Sequence, residues 1–203
     1  MLDFLTIIDT NENFETWISR KYIPDELKSN LVRAKVLLVP IEKFRDQEAL
    51  LLCPLACEVI DYLREKLPED VKVDICVPDE CIEELALYDH DIILGDFFIY
   101  STVATLFFGI VSNFIYDKFI KQKKSEYQVQ IIDNSVNKSS SPINIGTFEG
   151  KEYMSSPNIQ LSVTVVDENS GRKSQKLEYK GPASEFSALI ASTLKSINED
   201  HNE

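Results

Sequence analysis

A chain of 203 residues, 44% of them hydrophobic, can build one medium domain or two small lobes and is too apolar to be disordered. Its formal charge of −13 resides almost wholly in residues 1–100, where 22 Asp and Glu face 10 Lys and Arg. That half repels phosphate backbones, which excludes direct nucleic-acid binding through its surface.

In chain order, residues 2–9 read as a strand and residues 11–21, with the single Trp17, as a short helix; Pro24 interrupts what precedes it. The opening residues carry acids where a secretory leader needs bases, so the expected location is cytoplasmic. Residues 34–39 form a continuous apolar run, the pattern of a strand covered on both faces. Pro54 suits the first position of a helix in which Leu55, Val59, Leu63 and Leu67 share one side, and Pro68 stops it. Residues 71–77 alternate as a strand, and Pro78, Asp79 and Glu80 open a short acidic helix. A buried strand over residues 91–99 and a helix from a Ser101 cap to about Lys121 follow.

This β-α-β-α-β-α series predicts an α/β fold with a mostly parallel, doubly wound sheet. Beyond it, residues 127–133 read as a strand and 134–157 as a long polar loop. Residues 159–166 and 176–179 form a hairpin around Asn169 and Gly171, and a final helix carries Phe186, Leu189, Ile190, Thr193, Leu194 and Ile197 on one face. The boundaries are an N-terminal extension at 1–31, an α/β core at 32–125 and an α+β extension at 126–203, which can also be one continuous domain.

Residues 97–115 carry no charge across about the length of a membrane-spanning helix. Lys118, Lys121, Lys123 and Lys124 follow, whereas residues 77–96 contain no Lys or Arg, the asymmetry of a span with a cytoplasmic C-terminal end. Against spanning, Ser101, Thr102, Thr105, Ser112 and Asn113 are costly in hydrocarbon, and the stretch divides into strand and helix. In that helix Thr102, Thr105, Gly109, Ser112, Asn113 and Tyr116 recur every three or four residues. Such a stripe of mainly small side chains permits close backbone approach, in a packed core, between membrane helices or against a partner helix.

Signatures of catalysis are missing. The six glycines form neither a dinucleotide nor a phosphate-binding loop, and there is no nucleophile elbow. Of two histidines, His201 lies in the tail and His90, between Asp89 and Asp91, reads as a surface turn. Cys53 and Cys57 straddle Pro54, and Cys76 and Cys81 span a strand end, without the nearby glycine of a zinc turn, so they read as buried thiols in a reducing compartment. No residue is assigned a catalytic role and no metal ligand set is defined.

What remains is the carboxyl edge of the expected sheet, where Glu42 goes with the first strand, Asp79 and Glu80 with the second, and Asp96, Ser101 and Thr102 with the third. Ligands of doubly wound folds bind there, and oxygen-only groups suit Mg²⁺. The segment 69–96, with ten acids and Lys72 as its one base, is either a solvated rim or a docking surface for a basic partner. The leading expectation is a non-catalytic interaction protein, a subunit or accessory component of a larger assembly, with a protein partner or a second copy. Low glycine and abundant Lys, Ile and Asn suit an AT-rich bacterial or phage genome. The alternatives are a Mg²⁺-dependent phosphoryl-type enzyme or small-ligand sensor at the carboxylate edge, and a membrane-anchored component spanning at 97–115.

Overall fold

The computed structural model describes residues 4–42, 50–78, 82–84, 91–121, 156–168 and 174–200. In chain order these form β1 (Leu5–Thr10), α1 (Phe14–Ile18), α2 (Asp25–Leu31), β2 (Val36–Val39), β3 (Leu50–Leu52), α3 (Pro54–Lys66), β4 (Val73–Ile75), β5 (Ile82–Glu84) and β6 (Asp91–Tyr100). A 3-10 turn at Ser101–Val103 leads into α4 (Ala104–Ile115), which ends in a π turn at Tyr116–Ile120; β7 (Asn158–Val166), β8 (Ser174–Pro182) and α5 (Ala183–Asp200) complete the chain. The strand expected at 127–133, most of the loop at 134–157, the hairpin turn at Asn169 and Gly171, His90, Cys81, Asp79 and Glu80 lie outside the described residues.

The fold is mixed α/β, built on a six-stranded sheet of order β1-β8-β7-β6-β2-β4. The N-terminal, central and C-terminal parts of the chain all contribute strands to it. Two buried helices each link a parallel neighbour pair: α3 carries β2 to β4, and α4 lies between β6 and β7. The other three pairings, β1–β8, β7–β8 and β2–β6, are antiparallel.

The sheet is therefore mixed, which corrects the expectation of a mostly parallel one. A parallel neighbour needs a crossover of a dozen or more residues, usually helical. Within the stretch read as an acidic helix, Ile82–Glu84 is a strand, paired in parallel with Leu50–Leu52 in a separate two-stranded sheet. β6 enters beside β2 in the opposite direction.

Alternation assigns the two faces of the sheet. Val36, Leu38, Phe97, Ile99, Ile159, Leu161, Val163, Leu177 and Tyr179 point to one side, where α3, α4 and α5 cover them in the main core. Leu37, Val39, Phe98 and Val166 point to the other, beneath Phe14 and Trp17 of α1 and Leu31 of α2. Both faces of β2 are thus filled, as its unbroken apolar run requires. α3 starts with Pro54 at its first turn and buries Ala56, Val59, Ile60 and Leu63 at spacings of three and four.

β6 carries a bulge between Ile93 and Asp96, with Gly95 at φ +120. The glycine is demanded by close approach as well as dihedral: a Cβ there would lie 2.9 Å from the Ala56 Cβ and 3.1 Å from Leu38 Cδ1. Toward β8 and β1 the second face is open, with Thr6, Ile8, Glu178 and Lys180 exposed.

Candidate functional site

Three features carry polar or accessible chemistry: a charged cluster on the second sheet face, a network at the end of β2, and the outer surface of α4.

The cluster is built by cross-strand register. Asp96 on β6 sits opposite Ser162 on β7, which sits opposite Glu178 on β8, making one rung across three strands. The next rung holds Phe98, Thr164 and Lys176. The Lys176 Nζ lies 3.0 Å from Glu178 Oε1 and 3.7 Å from Asp96 Oδ2, so one ammonium stands between two carboxylates. Burial pushes the Asp96 carboxyl above its usual range, against the opposing pull of the Lys176 ammonium and the Ser162 hydroxyl. Lys176 itself is held above its ordinary value, chiefly by Asp96 and then Glu178, although burial acts the other way.

Around this pair Thr164 Oγ1 and Ser174 Oγ are enclosed without a hydrogen-bond partner among the described residues. Asp96 lies inside β6 rather than after it. Its signal in the sequence was the polar alternation of Gln160, Ser162 and Thr164 along β7, which marks a polar inner face; Lys176 and Glu178 were missed because they meet Asp96 only through β7.

Glu42 follows β2 and is held by two side chains from the N-terminal segment. The Tyr22 hydroxyl donates to Glu42 Oε1 at 3.0 Å, and Arg20 pairs with Glu42 Oε2 at 3.2 Å while its guanidinium stacks 4.9 Å from the Trp17 ring centroid. Cys76, next to β4, is buried and its thiol is pushed up to about 12, first by burial and then by Asp74 and Glu42. Cys53 is likewise pushed up to about 11, by burial first and then by Cys57. These thiols are protonated at neutral pH and lack the thiolate that nucleophilic chemistry needs.

The reversed direction of β6 separates the residues that the sequence grouped together. Asp96 pairs with Val39, near the end of β2 that leads to Glu42. The Tyr100 N–H donates to the Lys35 carbonyl at the opposite end of β2, so Ser101 and Thr102 leave the sheet on the far side from Glu42. Ser101 makes no side-chain cap; a 3-10 turn starts the helix instead. Among the described residues no group of three or more His, Cys, Asp or Glu side chains is placed to share a metal ion.

The segment Ser101–Ile120 is the one described helix long and apolar enough to cross a membrane, with mean hydropathy 1.4. It starts directly from β6 and its inner side is in the core: Phe107 is fully buried against Phe97 and Phe108, with ring centroids 5.4 Å apart in both cases. Tyr62 of α3 meets Phe114, and Glu58 of α3 accepts from Lys118 at 2.6 Å.

The small-residue stripe faces away from that core. Thr102, Thr105, Gly109, Asn113 and Tyr116 are exposed and Ser112 is half-buried; Leu106 beside them is 47% exposed. Among the described residues nothing lies within 4 Å of where a Gly109 Cβ would be. At its C-terminal end the stripe meets a groove of about 210 Å³ between α4 and the start of α5, with Ser112, Asn113, Tyr116, Ser184 and Ser187 in its walls.

No family model, curated protein or solved structure matches this chain.

Proposed function

We propose that this chain is a non-catalytic interaction component, an intracellular subunit or accessory part of a larger assembly, with the outer face of α4 as its docking surface. The carrying observation is that the most apolar of the described helices leaves Thr105, Leu106, Gly109, Asn113 and Tyr116 exposed. An uncharged strip of small side chains lets a second helix approach closely, so that dispersion contacts accumulate along both backbones. The partner fitting this surface presents an apolar helix.

The charged groups support a binding role over a catalytic one. Lys176 is committed to Asp96 and Glu178, and Glu42 to Arg20 and Tyr22. Mg²⁺-dependent chemistry at the cluster would first have to displace the Lys176 ammonium from between its carboxylates.

Photo-crosslinking residues introduced at Thr105 and Asn113 test the reading in cells, with Asp61 on exposed α3 as the control position. A discrete crosslinked species at both α4 positions, lost on Gly109→Arg, is expected. A crosslinking pattern indistinguishable from that at Asp61 refutes the docking surface. The high hydropathy of Ser101–Ile120 favours membrane anchoring as a second reading. Recovery of the chain only in detergent-solubilised fractions would establish it in place of the first.

A further inference from the structure

Among the described residues β1 leaves one edge free, a second surface independent of α4. β1 ends the sheet and pairs with β8 alone among the described residues. The Lys180 N–H donates to the Phe4 carbonyl at 2.8 Å. In an antiparallel ladder this places the peptide groups of residues 4, 6, 8 and 10 toward β8 and turns the N–H and C=O of Leu5, Ile7 and Asp9 outward. Outward-facing groups of this kind are a template for another strand, and edges are ordinarily blunted by Lys, Pro or a bulge. Leu5–Thr10 contains no Lys or Pro, and its register with β8 runs without a shift.

Side chains and charge specify the occupant. Ile7 and Ile8 are 45% and 47% exposed on opposite faces, ready to flank an added strand above and below. β1 carries Asp9 and no Lys or Arg. The nearest lysines on β8 are already paired, Lys176 with Asp96 and Glu178, and Lys180 with Asp91 at 3.1 Å. A second copy would bring this acid-only segment against itself in a chain of net charge −13. We infer that the β1 edge takes, as a seventh strand, an extended basic segment of a partner protein. Main-chain pairing supplies the affinity, and the alternating basic side chains meet Asp9 and the net negative charge of the chain.

The test uses fluorescence anisotropy of the full chain with three labelled peptides: alternating Lys and Val, alternating Glu and Val, and the basic peptide interrupted by prolines. The basic peptide should bind, about tenfold more weakly at high than at low salt, and the other two should not. Ile7→Pro removes an outward N–H without touching the β8 ladder and should weaken binding at least about tenfold. Asp9→Lys, which carries little risk to folding, should weaken it about fivefold and give the acidic peptide measurable affinity.

Equal binding of the basic and proline-interrupted peptides, or no loss in either variant, would show nonspecific adhesion and overturn the inference. Light scattering that finds a dimer dissolved by Ile7→Pro would also overturn it, in favour of a second copy. Gly109→Arg should leave peptide binding unchanged, so failure at β1 and failure at α4 are read separately.

Discussion

Adjacent residues of α4 should respond oppositely to truncation. Phe107 is fully buried, and Phe107→Ala removes its contacts with Phe97 and Phe108 and leaves a cavity. Core substitutions of this kind cost about 3–5 kcal/mol, of which each aromatic pair accounts for roughly 0.5–1.5. Leu106 is 47% exposed, so Leu106→Ala forfeits about half the value of a buried leucine, near 1 kcal/mol, partly offset by alanine's better helix propensity.

Urea unfolding without detergent, followed through buried Trp17 on the opposite sheet face, reads both variants globally. With a urea dependence of about 2 kcal/mol per molar, the midpoint should fall by about 2 M for Phe107→Ala and by less than about 0.5 M for Leu106→Ala. Equal shifts, or a larger one for Leu106→Ala, would mean that α4 is rotated or lies outside the core, and the docking face would fall with it.

Two further perturbations probe the frame that presents these surfaces. Gly95→Ala must hold a side chain at φ +120 and within 2.9 Å of the Ala56 Cβ, so strain and overpacking together should cost about 2–5 kcal/mol in the same assay; a change below about 0.5 would contradict the β6 bulge. Because the Asp96 carboxyl is raised by burial, the folded state holds its proton more tightly than the unfolded state. That contribution is fully present at low pH and is lost as pH climbs from the ordinary value of 3.8 through the raised one, so Asp96→Asn should remove a downward slope in stability over that window. Asp91, held low first by Gln160 and then by Lys180, acts in the opposite sense, its contribution disappearing as pH falls below 3.8. Parallel pH profiles for parent and Asp96→Asn would disprove the buried position of that carboxylate.

Much of the element content was legible because local patterns report burial directly. The apolar run at 34–39 contains β2, Pro54 marks the start of α3, and the 3.6-residue spacing around Phe186 and Ile190 marks α5. Three-residue strands leave too short a record: β3 escaped notice, and the residues of β5 were read as part of a helix. Asp96 and Glu42 were singled out, but not Lys176, Glu178, Arg20 and Tyr22. The contacts that bring Tyr22, Arg20 and Lys176 to these carboxylates join positions 20 to 80 residues apart, and a local pattern does not record such distances.

The sequence by itself determined that an acidic, apolar-cored α/β chain would form, which helix is the most apolar, and that small residues line one stripe of it. Only the tertiary structure decided that β6 runs against β2, that Ser101 and Thr102 part from Glu42, that the stripe looks outward, and that β1 ends the sheet. The physical reason is that side-chain periodicity encodes how each element is solvated, whereas strand direction and neighbour order follow from which distant backbones exchange hydrogen bonds. That exchange is nearly indifferent to side-chain identity, so it is settled by crossover lengths and core packing across the whole chain.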